Sequence, residues 1–352
     1  ATERSRRSFS NKGTPRMKLL VLGGTKFLGR HTVELAKQAG HEITLFHRGE
    51  TNPGLFPEVE HILGNREGDL DRLAGRTWDA AIDTCGYFPR LVGDSARFLA
   101  DKVGHYTFVS SISVYSKFYP GMDESAPVAV LVDPAVEEIT ETTYGGLKAL
   151  CEEAAEQAMP GRVLSVRAGL IVGPYDQTDR FTYWVRRVSM GGRVLVPSPP
   201  ERPVQFIHAA DLAAWMLRMA EEGKAGVYNA TGPAGTGTQP APPCTMEQVL
   251  GACREAAGSK AEFVWVDERY LTERKVELWS DLPLASPPEE DGLMEVDVRR
   301  AAALGLATRP LLDTVRQTLA WDATRPVGTE LKAGLKPARE AELLTEWDHP
   351  FA

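Results

Sequence analysis

Lys18-Leu19-Leu20-Val21-Leu22-Gly23-Gly24-Thr25-Lys26-Phe27-Leu28-Gly29 runs from an apolar stretch through a glycine turn into an amphipathic segment. A short, nearly continuous apolar run suits a strand buried on both faces of a parallel sheet. The helical periodicity that follows predicts a helix to about Ala39, stopped by Gly40. Between such a strand and helix, backbone N–H groups at the helix N-terminus can receive a pyrophosphate. Gly23 permits the tight turn and Gly29 the close helix–strand approach, although Thr25 departs from the G-x-G-x-x-G pattern. A glycine turn alone can be purely structural. Strand, turn and helix together make Gly23, Gly24, Thr25, Lys26, Phe27, Leu28 and Gly29 candidate cofactor contacts.

Working outward, short apolar runs at 42–46, 59–63, 80–84, 106–110 and 162–167 alternate with amphipathic stretches. With the first run they give six predicted strands and an α/β fold, a doubly wound Rossmann-type parallel sheet. After Gly173-Pro174 the texture changes, with proline-rich stretches at Pro197–Pro203, Pro233–Pro243 and Leu282–Asp291. These divide the chain into a basic tail at 1–16, a dinucleotide-binding domain at 17–170 and a smaller, mainly substrate-binding domain at 171–352. Parts of the last, such as a helix at Asp211–Glu222, are expected to pack back on the sheet.

The second predicted strand ends in His47-Arg48-Gly49, where dinucleotide sites for NAD commonly place an acid that accepts from the ribose 2′-hydroxyl. Arg48 suits a 2′-phosphate, and Lys26 in the turn can join it, so NADP is the expected cofactor. Glu50 keeps NAD open, and Arg48 can also be read as a solvated loop residue. His47 and Asn65, at the ends of the second and third strands, complete the candidate cofactor set.

Tyr144 and Lys148 stand four residues apart, on one face of a helix about a turn distant. An ammonium that favours phenolate brings a tyrosine, whose unperturbed pKa is ~10, toward general acid–base work at neutral pH. The spacing alone is weak, because a chain with nine tyrosines meets it readily by chance. Val109-Ser110-Ser111-Ile112-Ser113-Val114-Tyr115 follows a strand, at the carboxyl edge where ligands of such sheets bind. A hydroxyl there can hold a carbonyl oxygen, or the serines simply cap a loop.

Composition narrows the rest. The 352 residues are 43% hydrophobic and 25% charged, ordinary for a folded soluble chain, and the formal charge of −8 disfavours a broad nucleic-acid surface. No run approaches the ~20 apolar residues of a membrane span. Cys85, Cys151, Cys244 and Cys253 form no CxxC pair, and His31, His41, His47 and His61 have no ligand spacing, so free thiols, a reducing cytoplasmic setting and no metal are expected. Ser5-Arg6-Arg7-Ser8-Phe9 resembles the start of a twin-arginine export signal. The polar residues after it supply no apolar stretch, and a disordered tail before a natural start near Met17 is expected.

At this point the chain resembles the extended and atypical short-chain dehydrogenase/reductases, the NAD-dependent epimerase/dehydratase family, from Met17 to Trp321. The carriers are Gly23–Gly29, Val109–Tyr115, Tyr144 with Lys148, Arg167 leading to Val172-Gly173-Pro174, and Phe206-Ile207-His208-Ala209-Ala210-Asp211-Leu212-Ala213. The GGTxFLG turn is similar to that of an atypical subgroup holding reductases, sugar-modifying candidates and chloroplast RNA-binding relatives. The resemblance implies Ser111 as the catalytic hydroxyl, Tyr144 as acid/base and Lys148 as the holder of the nicotinamide ribose. It implies hydride transfer at a carbonyl or carbinol carbon of a small polar compound such as a sugar or glycoside. An epimerase with retained NAD and a non-catalytic nucleotide- or RNA-binding protein are the alternatives. No nucleic-acid or membrane partner is expected, and the oligomeric state is left at monomer or homodimer.

Departures matter too. The family's dehydratases carry Asp-Glu after the catalytic Ser/Thr, where this chain has Ile112 and Ser113. Nucleotide-sugar epimerases have Asn after the Arg of the sixth strand, where this chain reads Arg167-Ala168-Gly169, and their pyrophosphate-binding Arg corresponds to Val204, with Arg202 displaced. Tyr87, Ser113, Tyr119, Tyr183 and Trp184 are the substrate-pocket candidates, with Phe118 and Phe181 as further aromatic neighbours. His208 and Asp211 are expected to fix a helix start, Asp211 as its cap.

Overall fold

Strand β1 (Lys18–Leu22) lies inside a parallel sheet of seven strands, in a computed structural model that describes residues 16–233, 241–286 and 288–349. Residues 1–15 of the basic tail, with the twin-arginine-like pentad, and most of the proline-rich stretch 233–243 lie outside the described residues. β2 (Glu42–His47), β3 (Glu60–Leu63), β4 (Trp78–Asp83), β5 (Val103–Ser111) and β6 (Val163–Ala168) follow the predicted runs. Helices α1 (Phe27–Gln38), α2 (Pro89–Leu99) and α3 (Tyr144–Ala158) connect them. The second half contributes β7 (Leu170–Val172), α4 (Arg180–Ser189), β8 (Arg193–Pro197), β9 (Pro203–Val204), β10 (Phe206–His208), α5 (Ala209–Glu221) and β11 (Gly226–Ala230). It ends with β12 (Cys244–Thr245), α6 (Met246–Ala257), β13 (Glu262–Val266), α7 (Glu268–Glu273), α8 (Arg299–Ala303), α9 (Leu311–Asp322) and α10 (Pro337–Asp348).

The sheet order is β11-β6-β5-β4-β1-β2-β3, with every pairing parallel. The chain reverses direction across the sheet between β1 and β4, and ligands of such sheets bind in the crevice at the strand ends there. Six strands were expected and seven are found. β11 was missed because Gly226-Val227-Tyr228-Asn229-Ala230 is short and opens on glycine, and its partner β6 lies some sixty residues away.

Alternation along β1 divides the core. Leu19 and Val21 enter a cluster with Val33 of α1 and Leu212 and Met216 of α5, while Leu20 and Leu22 enter a second with Val92 and Ala96 of α2 and Cys151 and Ala155 of α3. Helices thus cover both faces, as a parallel sheet requires. A third cluster, centred on Phe181, Trp184, Leu195, Val249 and Leu343, is the core of the second half. No described helix is long and apolar enough to cross a membrane.

Candidate active site

A cleft of about 950 Å³ opens at the carboxyl ends of the central strands and holds nearly all the predicted site residues. Gly23–Gly29 form one wall. Gly23 and Gly24 take φ of +98° and +95°, a region that favours glycine, and a Cβ on Gly29 would stand 2.9 Å from the Gly24 backbone. The start of α1 has no side-chain cap and no acid in its first turn, which leaves its N–H groups and positive end for an anion. Leu28 lines the turn while its side chain joins the sheet core. Ser110 Oγ, at the end of β5, is buried without a hydrogen-bond partner in the described structure. An open phosphate cradle and an orphaned hydroxyl in one cleft fit a dinucleotide.

At the adenosine end, His47, Arg48 and Asn65 all line the cleft. His47 accepts from Gly49 N–H at 3.1 Å and faces His61 at 2.8 Å, and Asn65 Oδ1 accepts from Glu67 N–H at 3.1 Å. Arg48 is largely exposed and paired with Glu50 at 2.8 Å, so the cation expected to read a 2′-phosphate already has a counterion. The floor beneath this end carries no sequence motif. Arg66 grips Asp83 through two bonds of 3.0 and 2.7 Å, Tyr106 donates to the same carboxylate at 2.7 Å, and Asp83 is buried with Arg66 partly so. This pair ties the loop after β3 to the end of β4.

At the other end, Ser111 and Tyr144 line the cleft together, and the serine hydroxyl is near enough to act on the phenol. Ser111 Oγ also donates to Ser113 Oγ at 3.1 Å and accepts from Ser113 N–H at 3.1 Å, so the serine capping a short turn is also the one beside the phenol. Gly145, beside Tyr144, makes the approach possible, because a Cβ there would collide with the Ser113 carbonyl oxygen. Lys148 is buried, donating to the carbonyls of Gly86 at 2.8 Å and Val109 at 2.6 Å. Its ammonium lies 5.3 Å from the Tyr87 ring centroid.

The electrostatics add a residue to the site. Burial raises the Tyr144 pKa above its usual value, opposed first by the Ser111 hydroxyl and then by the Arg180 charge. Arg180 is thus a cation acting on the phenol that sequence reasoning missed. Burial also brings Lys148 down to about 8. Arg180 carried no motif, and its place became visible only with α4 folded over the cleft.

Three pocket candidates are also corrected. Tyr183 and Trp184 are buried in the core of the second half, where Trp184 Nε1 donates to the Pro283 carbonyl at 2.5 Å, because the inward face of α4 packs against α6 and α9. Tyr119 lies outside the cleft, half exposed, with its backbone against Gly292. Tyr87 and Ser113 do line the cleft, whereas Phe118 packs beside Val114 and Phe181 beside Phe206. The α5 start is capped by His208, which accepts from Ala210 N–H at 3.0 Å, while Asp211 is held by Arg309. Arg202 is buried against Ser286, Ser198 and Glu268, away from the cleft.

Residues 94–231, spanning the serine segment and the Tyr144 helix, match the NAD dependent epimerase/dehydratase family. The match covers under half of the chain. A chloroplast stem-loop binding protein of 41 kDa from Arabidopsis thaliana is 26% identical over 262 residues, covering 68% of this chain and 63% of the relative. The chain thus spans under two thirds of that protein. An enzyme of Bordetella bronchiseptica, WbmH, solved with NAD+, superposes at a TM-score of 0.65 with 15% identity, covering 89% of this chain and 100% of that one. A UDP-glucose 4-epimerase of Thermus thermophilus, solved with NAD, gives 0.61 with 19% identity and 88% and 100% coverage. These superpositions establish that the chain has the fold of those enzymes.

Proposed function

We propose that this protein is a nicotinamide-dinucleotide-dependent oxidoreductase that moves hydride to or from a carbonyl or hydroxyl carbon of a small polar substrate. The observation that carries the reading is that Ser111, Tyr144 and Lys148 line one cleft with the glycine turn. When bound, the dinucleotide supplies the hydride donor or acceptor. Gly23–Gly29 and the α1 start would hold its phosphates, and Lys148 its nicotinamide ribose. Tyr144 Oη gives or takes the hydroxyl proton, Ser111 Oγ orients the substrate oxygen as charge develops, and Arg180 holds the phenol's proton affinity down.

The cofactor preference we favour is NADP(H), moderated by Glu50, because a 2′-phosphate must compete with that carboxylate for Arg48. The family match supports a second reading, an epimerase that uses the same residues and keeps its dinucleotide through the cycle. The Arabidopsis relative's name supports a stem-loop-binding role, against which the net charge of −8 weighs.

The test is to assay the purified protein for bound nicotinamide, then to screen carbonyl and hydroxy compounds with wild type and Tyr144→Phe. Tyr144-dependent turnover with exchange of free dinucleotide supports the reductase. Tightly retained NAD supports the epimerase. Salt-sensitive RNA binding with neither would overturn both.

A further inference from the structure

We propose that Arg180 docks a carboxylate on the substrate, so that the compound reacting at Tyr144 is a small acid, such as a uronate or a hydroxy or oxo acid. This deepens the oxidoreductase reading and depends on it for the position of the reacting carbon.

Arg180 opens α4, lines the same cleft as Ser111 and Tyr144, and is partly buried. Its neighbours on the helix are used structurally: Arg186 pairs with Asp322 at 2.5 Å and Arg187 with Glu340 at 2.5 Å. Among the described residues no carboxylate comes within ion-pair distance of Arg180. Asp176 acts on it electrostatically, but that carboxylate is spent on Thr178, accepting from its N–H at 2.8 Å and its hydroxyl at 2.8 Å. Among the described residues the guanidinium makes one hydrogen bond, a long one from Nε to Thr178 Oγ1 at 3.3 Å. A guanidinium withdrawn from water without a fixed counterion carries an uncompensated cost that an arriving anion would relieve.

The surroundings favour a carboxylate over a phosphate. The indole of Trp279 lies 4.9 Å from the guanidinium carbon, and contact with a ring leaves the N–H edge of the fork free for a planar, two-pronged acceptor. Asp176 adds negative charge beside the site, which suits a monoanion better than a dianion. The position from which a family arginine would reach a pyrophosphate is filled by buried Val204, and Arg202 is held elsewhere. Arg180 shares the cleft with Ser111 and Tyr144, and its charge acts on the Tyr144 phenol. Its helix is fixed by Asp179, whose carboxylate accepts from Arg325 at 2.7 Å and from Lys332 N–H at 3.1 Å.

The experiment is peptide-mapped modification of the full chain by phenylglyoxal, with glycolate, lactate, gluconate, glucuronate, their amides, or inorganic phosphate as protectants. At least one acid should slow modification of Arg180 by about tenfold or more, its amide should not, and phosphate should protect less. By calorimetry with the protecting acid, Arg180→Gln should weaken binding ~10–100-fold and Arg180→Lys should recover part of it. Equal protection by amides, best protection by phosphate, or no protection by any acid would overturn the proposal. Protection reads binding alone, so failure of the oxidoreductase reading would appear separately, as absent dinucleotide binding with protection intact.

Discussion

Arg167 of β6 donates to Glu152 of α3 through Nη2 at 2.8 Å and Nε at 3.1 Å, and this buried pair bolts the helix carrying Tyr144 and Lys148 onto the sheet. Glu152 lies one turn beyond Lys148, so the register of that helix is set from beneath. Arg167→Met would leave a carboxylate buried and unpaired, at a cost of ~3–5 kcal/mol, whereas Arg167→Met with Glu152→Leu should recover much of it. Denaturant unfolding of the two single variants and the double variant measures this. Equal loss in the double variant would mean that the pair does not act as a unit.

Gly145 sets how closely that helix approaches the serine turn. Gly145→Ala should push the start of α3 away from Ser113, part Ser111 from Tyr144, and lower kcat on the order of a hundredfold. Dinucleotide affinity should change little, since Gly23–Gly29 lie on another element. Steady-state kinetics beside a binding titration separates the two effects.

Lys148 gives a pH signature. Its folded pKa of about 8 lies below the usual 10.5, so between those values the unfolded chain holds a proton that the folded chain has lost. The folded state is therefore penalised below about 8, and stability contributed by this residue rises as pH climbs from about 8 toward 10.5. Relative to Lys148→Met, wild type should gain about 3 kcal/mol across that window by the linkage of ~1.36 kcal/mol per pKa unit. Affinity for the dinucleotide should move the opposite way, falling above about pH 8 as the ammonium loses its charge. Urea melts and binding titrations of both proteins from pH 6.5 to 10.5 check the two signs.

Glu50 should govern cofactor choice. Glu50→Gln frees Arg48, and the ratio of NADPH to NADH affinity should rise about two- to fivefold, the range expected for removing an exposed competing ion pair. Arg48→Ala should reduce that ratio. An unchanged ratio in both variants would show that the 2′ position is read elsewhere.

The sheet was legible because the local pattern and the final environment agree. Strands such as Lys18–Leu22 are buried on both faces and read as apolar runs, and the glycines of the first turn need backbone conformations that only glycine adopts cheaply. Spacing suggested Tyr144 and Lys148, the family resemblance suggested Ser111, and the structure brings all three to one cleft. What could not be read depends on packing between distant segments: β11 joins the sheet through β6, and the side of α4 that faces the cleft is decided by the core under Trp184. Spacing reports that Tyr144 and Lys148 share a helix face, but not that the ammonium is anchored on the carbonyls of Gly86 and Val109.

The measurement that bears most directly on the central claim is a fluorescence titration of the purified protein with NADPH and NADH, after any nicotinamide already bound has been assayed and removed. Saturable binding in the micromolar range or tighter is predicted, retained by Tyr144→Phe and weakened by Gly24→Val, whose side chain would meet Leu45 and Val33 beneath the turn. Binding of neither nucleotide would contradict the assignment of the cleft to a nicotinamide dinucleotide, and with it the roles given to Ser111, Tyr144 and Lys148.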